Sequence, residues 1–347
     1  MTDKKAILIE FNSWHGECLY SQLLFLTHGG YEVALICDTS HRRQFEHLQY
    51  DHLDKHFINF KRAGSILKCY LWVINSHINR VIFNTAQGSA TLKFLLLPFP
   101  RRIKFAGIIH NVKKIETSRG QHIISRKVTH YFLLSDYLES HFPKEGGLKC
   151  CSVEFGIIPP LRFASLQKEK DVCYVAIPGY VEYKRRDYLS ILPFLDKWNE
   201  RLNLKIVLLG NIHKSDGPDL WARIKRAGLE KQFITFDHYI DEEDFCSYIQ
   251  ECDFILPLIH PGTPDAMSYT NSKISGSFTL SKMFGKTMLC HRIFQNVENF
   301  NYDALYYESL DELPSIIEQD RRRQTRNRFP VNLQEEGKKY INFLEKE

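Results

Sequence analysis

No apolar run in this chain approaches the roughly 18–20 residues that cross a bilayer, which argues against a membrane-spanning helix. Low-complexity segments and short internal repeats are also missing, so solenoids, propellers and disordered tails are set aside. The nine cysteines are odd in number and lack metal-type spacing. That excludes a zinc ribbon and a secreted disulfide scaffold, and it fits free thiols in a reducing compartment. Cys150 and Cys151 are adjacent, which suits neither a zinc knuckle nor a CxxC redox pair. The opening MTDKKAILIEF enters an apolar strand directly, so a cytoplasmic location without a signal peptide is expected.

The sequence holds 347 residues, more than one core comfortably fills, so two domains are expected. Apolar content of 44% and charged content of 25% are ordinary for a globular protein. Residues 1–150 carry 20 Lys/Arg and 12 Asp/Glu, a balance of +8, which leaves −3 of the net +5 for the remainder. A basic first half points to an anionic partner (a membrane surface, a phosphorylated acceptor or nucleic acid) or is simply a solvated face. Nucleic acid is the weakest choice, because aromatic-rich basic motifs are absent. Residues 93–105, KFLLLPFPRRIKF, mix apolar and basic side chains. They read either as resting on an anionic membrane or as a buried helix followed by a basic loop.

Apolar strands alternate with helices through both halves. Strands are expected at residues 4–11, 31–37, 80–84, 103–109 and 131–134, with helices at 18–28 and 66–77. Ile157-Ile158-Pro159-Pro160 and the polar run 165–171 read as a linker. A second set of strands follows at 172–177, 204–209, 233–236, 252–259, 288–290 and 304–307. Its helices are expected at 183–198, 218–227, 241–251 and 310–322, with a terminal helix at 333–343. Alternation without tight hairpins implies parallel sheets covered by helices on both faces, with ligands at the carboxyl ends of strands. The expected fold class is α/β, two Rossmann-like domains facing a central cleft. The expected division is 1–160, a linker at 161–171, 172–325, and a C-terminal helix in 326–347 packing back on the first domain.

Residues 262–291, GTPDAMSYTNSKISGSFTLSKMFGKTMLCH, carry the most local information. An apolar run precedes them, and Asn271-Ser272-Lys273-Ile274-Ser275-Gly276-Ser277 leads into a helical pattern. Ser275 or Ser277 is the N-cap candidate. A helix start has backbone N–H groups without partners and a dipole that favours anions, and Lys273 adds a full positive charge.

Several segments in one order resemble a known family. AILIEFNSWHGE is similar to a first strand and acceptor-side loop, and KFAGIIHN to a strand ending in His then Asn. FLLSDYLESHF, VEFGI and IPGYVEYKRRDYL follow in the same sequence of motifs. The chain resembles GT-B glycosyltransferases, nearest to retaining family 4. Tyr180 stands where that family has Arg, and Ser272 and Leu280 stand where it has paired glutamates.

The resemblance implies a glycosyltransferase with a nucleotide-sugar donor and a glycan or lipid-linked acceptor, acting in surface polysaccharide assembly, peripheral at the membrane's inner face. A leaving diphosphate needs electrostatic stabilisation. Lys184, Arg185 and Arg186 from one expected helix start, and Lys273, Ser275, Gly276 and Ser277 from another, are the candidates. Gly179, Gly210 and Asp265 are candidates for the donor sugar or nucleotide. His110, His15 and Glu17 are the catalytic candidates on the acceptor side, Glu17 either as general base or as a first-turn helix acid. Asp51-His52-Leu53-Asp54 has the letters of a metal–diphosphate motif but sits in a polar segment, so metal independence and no cofactor are expected. A non-catalytic nucleotide- or glycan-binding relative, and a sugar-nucleotide epimerase of the same fold, stay open.

Overall fold

The central strands in this chain are apolar on both faces, as β1 (Lys5–Glu10) shows with five of its six residues buried. Such strands are stable only inside a parallel sheet covered on each side. The computed structural model describes residues 4–143, 146–157, 168–322 and 331–346. The chain divides into two compact units, Met1–Pro159 with Val331–Glu347, and Pro160–Pro330. Residues 158–167 of the expected linker region lie outside the described residues, as do 323–330.

The first unit adds β2 (Glu32–Asp38), β3 (Leu53–Ile58), β4 (Arg80–Phe83), β5 (Lys104–Ile108), β6 (Val128–Leu133) and β7 (Lys149–Ser152). All pair in parallel in the order β3-β2-β1-β4-β5-β6-β7. The helices are α1 (Gly16–His28), α2 (Arg42–Phe45), α3 (Ser65–Asn75), α4 (Ser89–Leu95), α5 (Lys114–Thr117) and α6 (Arg119–Ser125). Strand order reverses between β1 and β4, which opens a crevice at their carboxyl ends.

The second unit holds β8 (Cys173–Pro178), β9 (Leu204–Asn211), β10 (Phe233–Phe236), β11 (Phe254–Ile255), β12 (Thr287–His291) and β13 (Ala304–Tyr307). Their order is β10-β9-β8-β11-β12-β13, again parallel, with the reversal between β8 and β11. Its helices are α7 (Tyr188–Ile191), α8 (Leu195–Arg201), α9 (Gly217–Arg226), α10 (Glu242–Glu251), α11 (Ala266–Asn271), α12 (Gly276–Phe284) and α13 (Leu313–Arg322). The side chain of Asp241 caps α10 by accepting from Asp244 N at 3.2 Å.

Three expectations need correction. The helix expected from residue 183 begins only at Tyr188, so Lys184, Arg185 and Arg186 lie in the preceding turn rather than at a helix start. The strand expected over 252–259 pairs only at Phe254 and Ile255. Pro257 lacks a donor and Leu258 takes a left-handed φ of 55°, so the ladder cannot continue. Leu53 and Asp54, read only as part of a polar segment, begin β3.

The last helix, α14 (Leu333–Glu345), belongs to the first unit. Asn332 caps it by accepting from Glu335 N at 3.3 Å. Tyr340 is fully buried, stacked on Phe132 at 4.2 Å with an interplanar angle of 10°. Its hydroxyl donates to Gln22 Oε1 at 3.1 Å. Glycine permits the approach of α1: a Cβ on Gly29 would stand 2.6 Å from Ile341 Cδ1.

Candidate functional site

Each unit gathers polar side chains at its own strand-order reversal. In the first, Glu10 ends β1 and is completely buried. Its Oε1 accepts from Asn12 N at 2.7 Å and from Asn12 Nδ2 at 2.8 Å. Its Oε2 accepts from Asn84 Nδ2 at 2.7 Å and from Thr85 Oγ1 at 2.5 Å. Burial raises the Glu10 carboxyl above its ordinary value, and the hydrogen bonds from Thr85, the Asn12 backbone and Asn84, with the charge of His15, oppose the rise. Asn84 also accepts from Gln22 Nε2 at 2.6 Å and donates to His15 O at 2.8 Å. The acid thus joins β1 to the residues just after β4, across the crevice.

His110 follows β5, is buried, and donates from Nε2 to Asn84 O at 3.0 Å. A carbonyl partner requires the proton on Nε2, which leaves Nδ1 as an acceptor. Burial, then the charge of His15, push the His110 imidazole down to about 3. It is therefore neutral at pH 7 and fitted to accept a hydrogen bond from a hydroxyl, not to take its proton. The His15 ring stacks on His110 with centroids 3.8 Å apart. Burial would lower His15, but the hydrogen bond and charge of Glu17 at 3.4 Å, with Glu10 behind, raise it.

Glu17 lies in the first turn of α1. Partial desolvation works against ionisation, yet the hydrogen bond and charge of His15 hold its carboxyl at about 2. An acid that strongly held is a weak base, so the first-turn reading fits Glu17 better than the general-base reading. Half of its side chain still meets water, so the pair contributes little to stability. That contribution is complete above the ordinary carboxylate value and below the ordinary histidine value. It is lost as pH falls through about 2, or rises through the elevated His15 value. In Glu17→Gln, the His15 ring should titrate at lower pH than in the native chain, read from its ring-proton NMR shifts. An unmoved titration would remove Glu17 as the cause.

In the second unit, Gly179 follows β8 with φ of 102°, a conformation that L side chains rarely adopt. Gly210, near the end of β9, lies against it: a Cβ there would collide with Gly179 O. Close approach of two strand ends accounts for Gly210 without a ligand. Arg186 is buried. It donates from Nη2 to Pro178 O and from Nη1 to Pro257 O at 3.5 Å. The guanidinium expected on a diphosphate is thus turned inward, tying β8 to the segment after β11. Its Nε is buried without a hydrogen-bond partner among the described residues. Arg185 is exposed and paired with Glu182 at 2.5 Å, whereas Lys184 is exposed with no ion-pair partner among the described residues.

Lys273 pairs with Asp265 Oδ2 at 2.9 Å and lies 4.5 Å from the Tyr269 ring centroid. Ser275 caps α12, its Oγ accepting from Ser277 N at 3.4 Å. Ser277 is fully buried, and its Oγ has no hydrogen-bond partner among the described residues. A Cβ on Gly276 would meet nothing within 4 Å, so the helix start opens onto free space. Because α12 connects the adjacent parallel strands β11 and β12, this start lies at the carboxyl edge of the sheet.

Sequence reasoning missed a half-buried relay beside Arg186. Asp187 Oδ2 accepts from His260 Nδ1 at 2.8 Å, and His260 Nε2 lies 2.8 Å from Tyr307 Oη. The backbone of Asp187 also donates to Leu258 O at 2.9 Å. The hydrogen bond from His260 is the main reason the Asp187 carboxyl is lowered. A His ending an apolar run was the signal available, as was an acid ending the run ILIE for Glu10.

No family model and no curated protein matches the chain. Solved structures do. A glycosyltransferase from Rickettsia africae aligns over 99% of this chain and 95% of its own, with a TM-score of 0.60 and 13% identity. HepE of Anabaena in complex with UDP-glucose aligns over 98% and 97%, with a TM-score of 0.61 and 13% identity. These likenesses show the fold, the two-domain α/β architecture of GT-B glycosyltransferases.

Proposed function

We propose that this chain is a glycosyltransferase, a divergent relative of family 4, that moves a sugar from a nucleotide-sugar donor to a glycan or lipid-linked acceptor. The observation that carries the reading is the start of α12: a serine-capped helix N-terminus opening onto free space beside Lys273, at the carboxyl edge of the second sheet. It supplies N–H groups, a favourable dipole and a cation, which is what a diphosphate needs. The fold supports the reading, because a structure of the same architecture holds UDP-glucose.

In this reading the second unit binds the donor and the first binds the acceptor. The diphosphate lies on the backbone N–H groups of Gly276 and Ser277, with Lys273 and Lys184 neutralising charge. Release of Lys273 from Asp265 frees both: the ammonium for the diphosphate, the carboxylate for a sugar hydroxyl. On the acceptor side, neutral His110 accepts a hydrogen bond from the attacking hydroxyl through Nδ1. Charge neutralisation by protein cations is part of the proposal, so a chelator should leave turnover unchanged.

Lys273→Ala should weaken UDP or GDP binding by about tenfold, the size of one charge-assisted contact, with the melting temperature nearly unchanged. Calorimetry or thermal shift measures both, and undiminished affinity would remove Lys273 from the role. A screen of nucleotide sugars then separates reaction types. Free diphosphate released only with an acceptor means transfer. An altered sugar without acceptor means epimerisation, and binding without turnover means a non-catalytic relative.

A further inference from the structure

One face of the first unit is prepared for a surface, independently of the transferase reading. Residues 55–135 contain fourteen lysines and arginines against a single acid, Glu116. On this face α3 packs beside α4, and α4 beside α6. The connection from α4 to β5 is clamped from both flanks. Tyr70 Oη on α3 donates to Pro98 O at 2.5 Å, and Lys127 Nζ donates to Leu95 O at 2.6 Å and Leu97 O at 2.9 Å.

The clamped connection and α3 together expose aliphatic side chains among cations. Leu67 and Leu71 are 50% and 47% exposed on α3, and Leu96 is 63% exposed where α4 ends. Lys68 on α3, Lys93 on α4, and Arg101 and Arg102 in the connection are exposed and have no ion-pair partner among the described residues. Cations left unpaired on a protein surface lower the cost of approaching an anionic one, and exposed leucines among them gain by leaving water.

We infer that this face docks on an anionic lipid surface, Leu67, Leu71 and Leu96 entering the headgroup region while Lys68, Lys93, Arg101 and Arg102 meet lipid phosphates. Nucleic acid fits less well. It rewards planar groups that stack on bases, and the rings here, Tyr70 and Phe99, are packed edge to face on each other with centroids 5.0 Å apart.

The test uses the full chain with vesicles of phosphatidylcholine, with and without phosphatidylglycerol. Co-sedimentation is expected only with the anionic vesicles, and release at about 0.5 M salt. Arg101→Glu with Arg102→Glu should cut partitioning by more than about tenfold. Leu67→Ser with Leu71→Ser should cut it at low salt too. Both pairs are exposed, so the melting temperature should stay at the native value. Equal binding to neutral vesicles, no binding at all, variants that bind like the native chain, or tighter binding to a short single-stranded DNA would each overturn the inference.

Discussion

Tyr340→Ala is expected to destabilise the first unit by about 3–5 kcal/mol, the usual range for emptying a fully buried aromatic site. The ring lies flat on Phe132 and within 5.4 Å of Phe25, with no exposed surface. It is the largest side chain that α14 places in the core. Against a total stability of about 5–15 kcal/mol for a domain, that is a large fraction. Tyr340→Phe keeps the stack and removes only the donor to Gln22, so about 1 kcal/mol is expected. Urea unfolding followed by tyrosine and tryptophan fluorescence measures both. Equal losses in the two variants would show that the hydroxyl, not the stack, holds the helix. Nucleotide affinity, assigned to the second unit, should stay at the native value in both.

The second large effect is expected at Arg186. Arg186→Ala should destabilise the second unit by about 3 kcal/mol, since a buried charged donor is lost and two buried carbonyls lose their partner. The sequence alone makes Arg186 one of three basic candidates for a diphosphate, whereas the structure gives its guanidinium to the carbonyls of Pro178 and Pro257. The two roles predict different outcomes. As a structural tie, the variant melts earlier, yet its folded population binds UDP or GDP as the native chain does. As a donor ligand, affinity collapses while the melting temperature holds.

Much of the fold was legible because its central strands are continuous apolar runs, as in β1, β8 and β12. The strands that were missed or misplaced, β3 and β7, are the two outer edges of the first sheet. An edge strand is half covered, so LDKHFI and KCCS carry polar residues and lose the apolar signature. The run at 252–259 misled in the opposite direction. Nearly all of it is buried, but the interruption of a ladder is a backbone event that hydropathy does not encode, here at Pro257 and Leu258.

At the candidate site, the capping serine was readable because its partner, Ser277 N, is two residues away. Glu10 and His260 were not, because their partners lie far along the chain. Thr85 is 75 residues from Glu10, and Tyr307 is 47 from His260. Arg186 was misplaced for a related reason. A basic cluster reads as solvent- or ligand-facing, and nothing local reveals that one member of three points at strand-end carbonyls.

The return of α14 to the first unit has a consequence for synthesis on the ribosome. Gln22 is 318 residues from the tyrosine that completes its hydrogen bond. At translation rates of about 5–20 residues per second, its layer waits roughly 15–60 seconds for that partner to be made. The second unit is contiguous and has all its strands by then. Nascent chains should therefore mature out of order, the later-encoded half acquiring protease resistance before the earlier one.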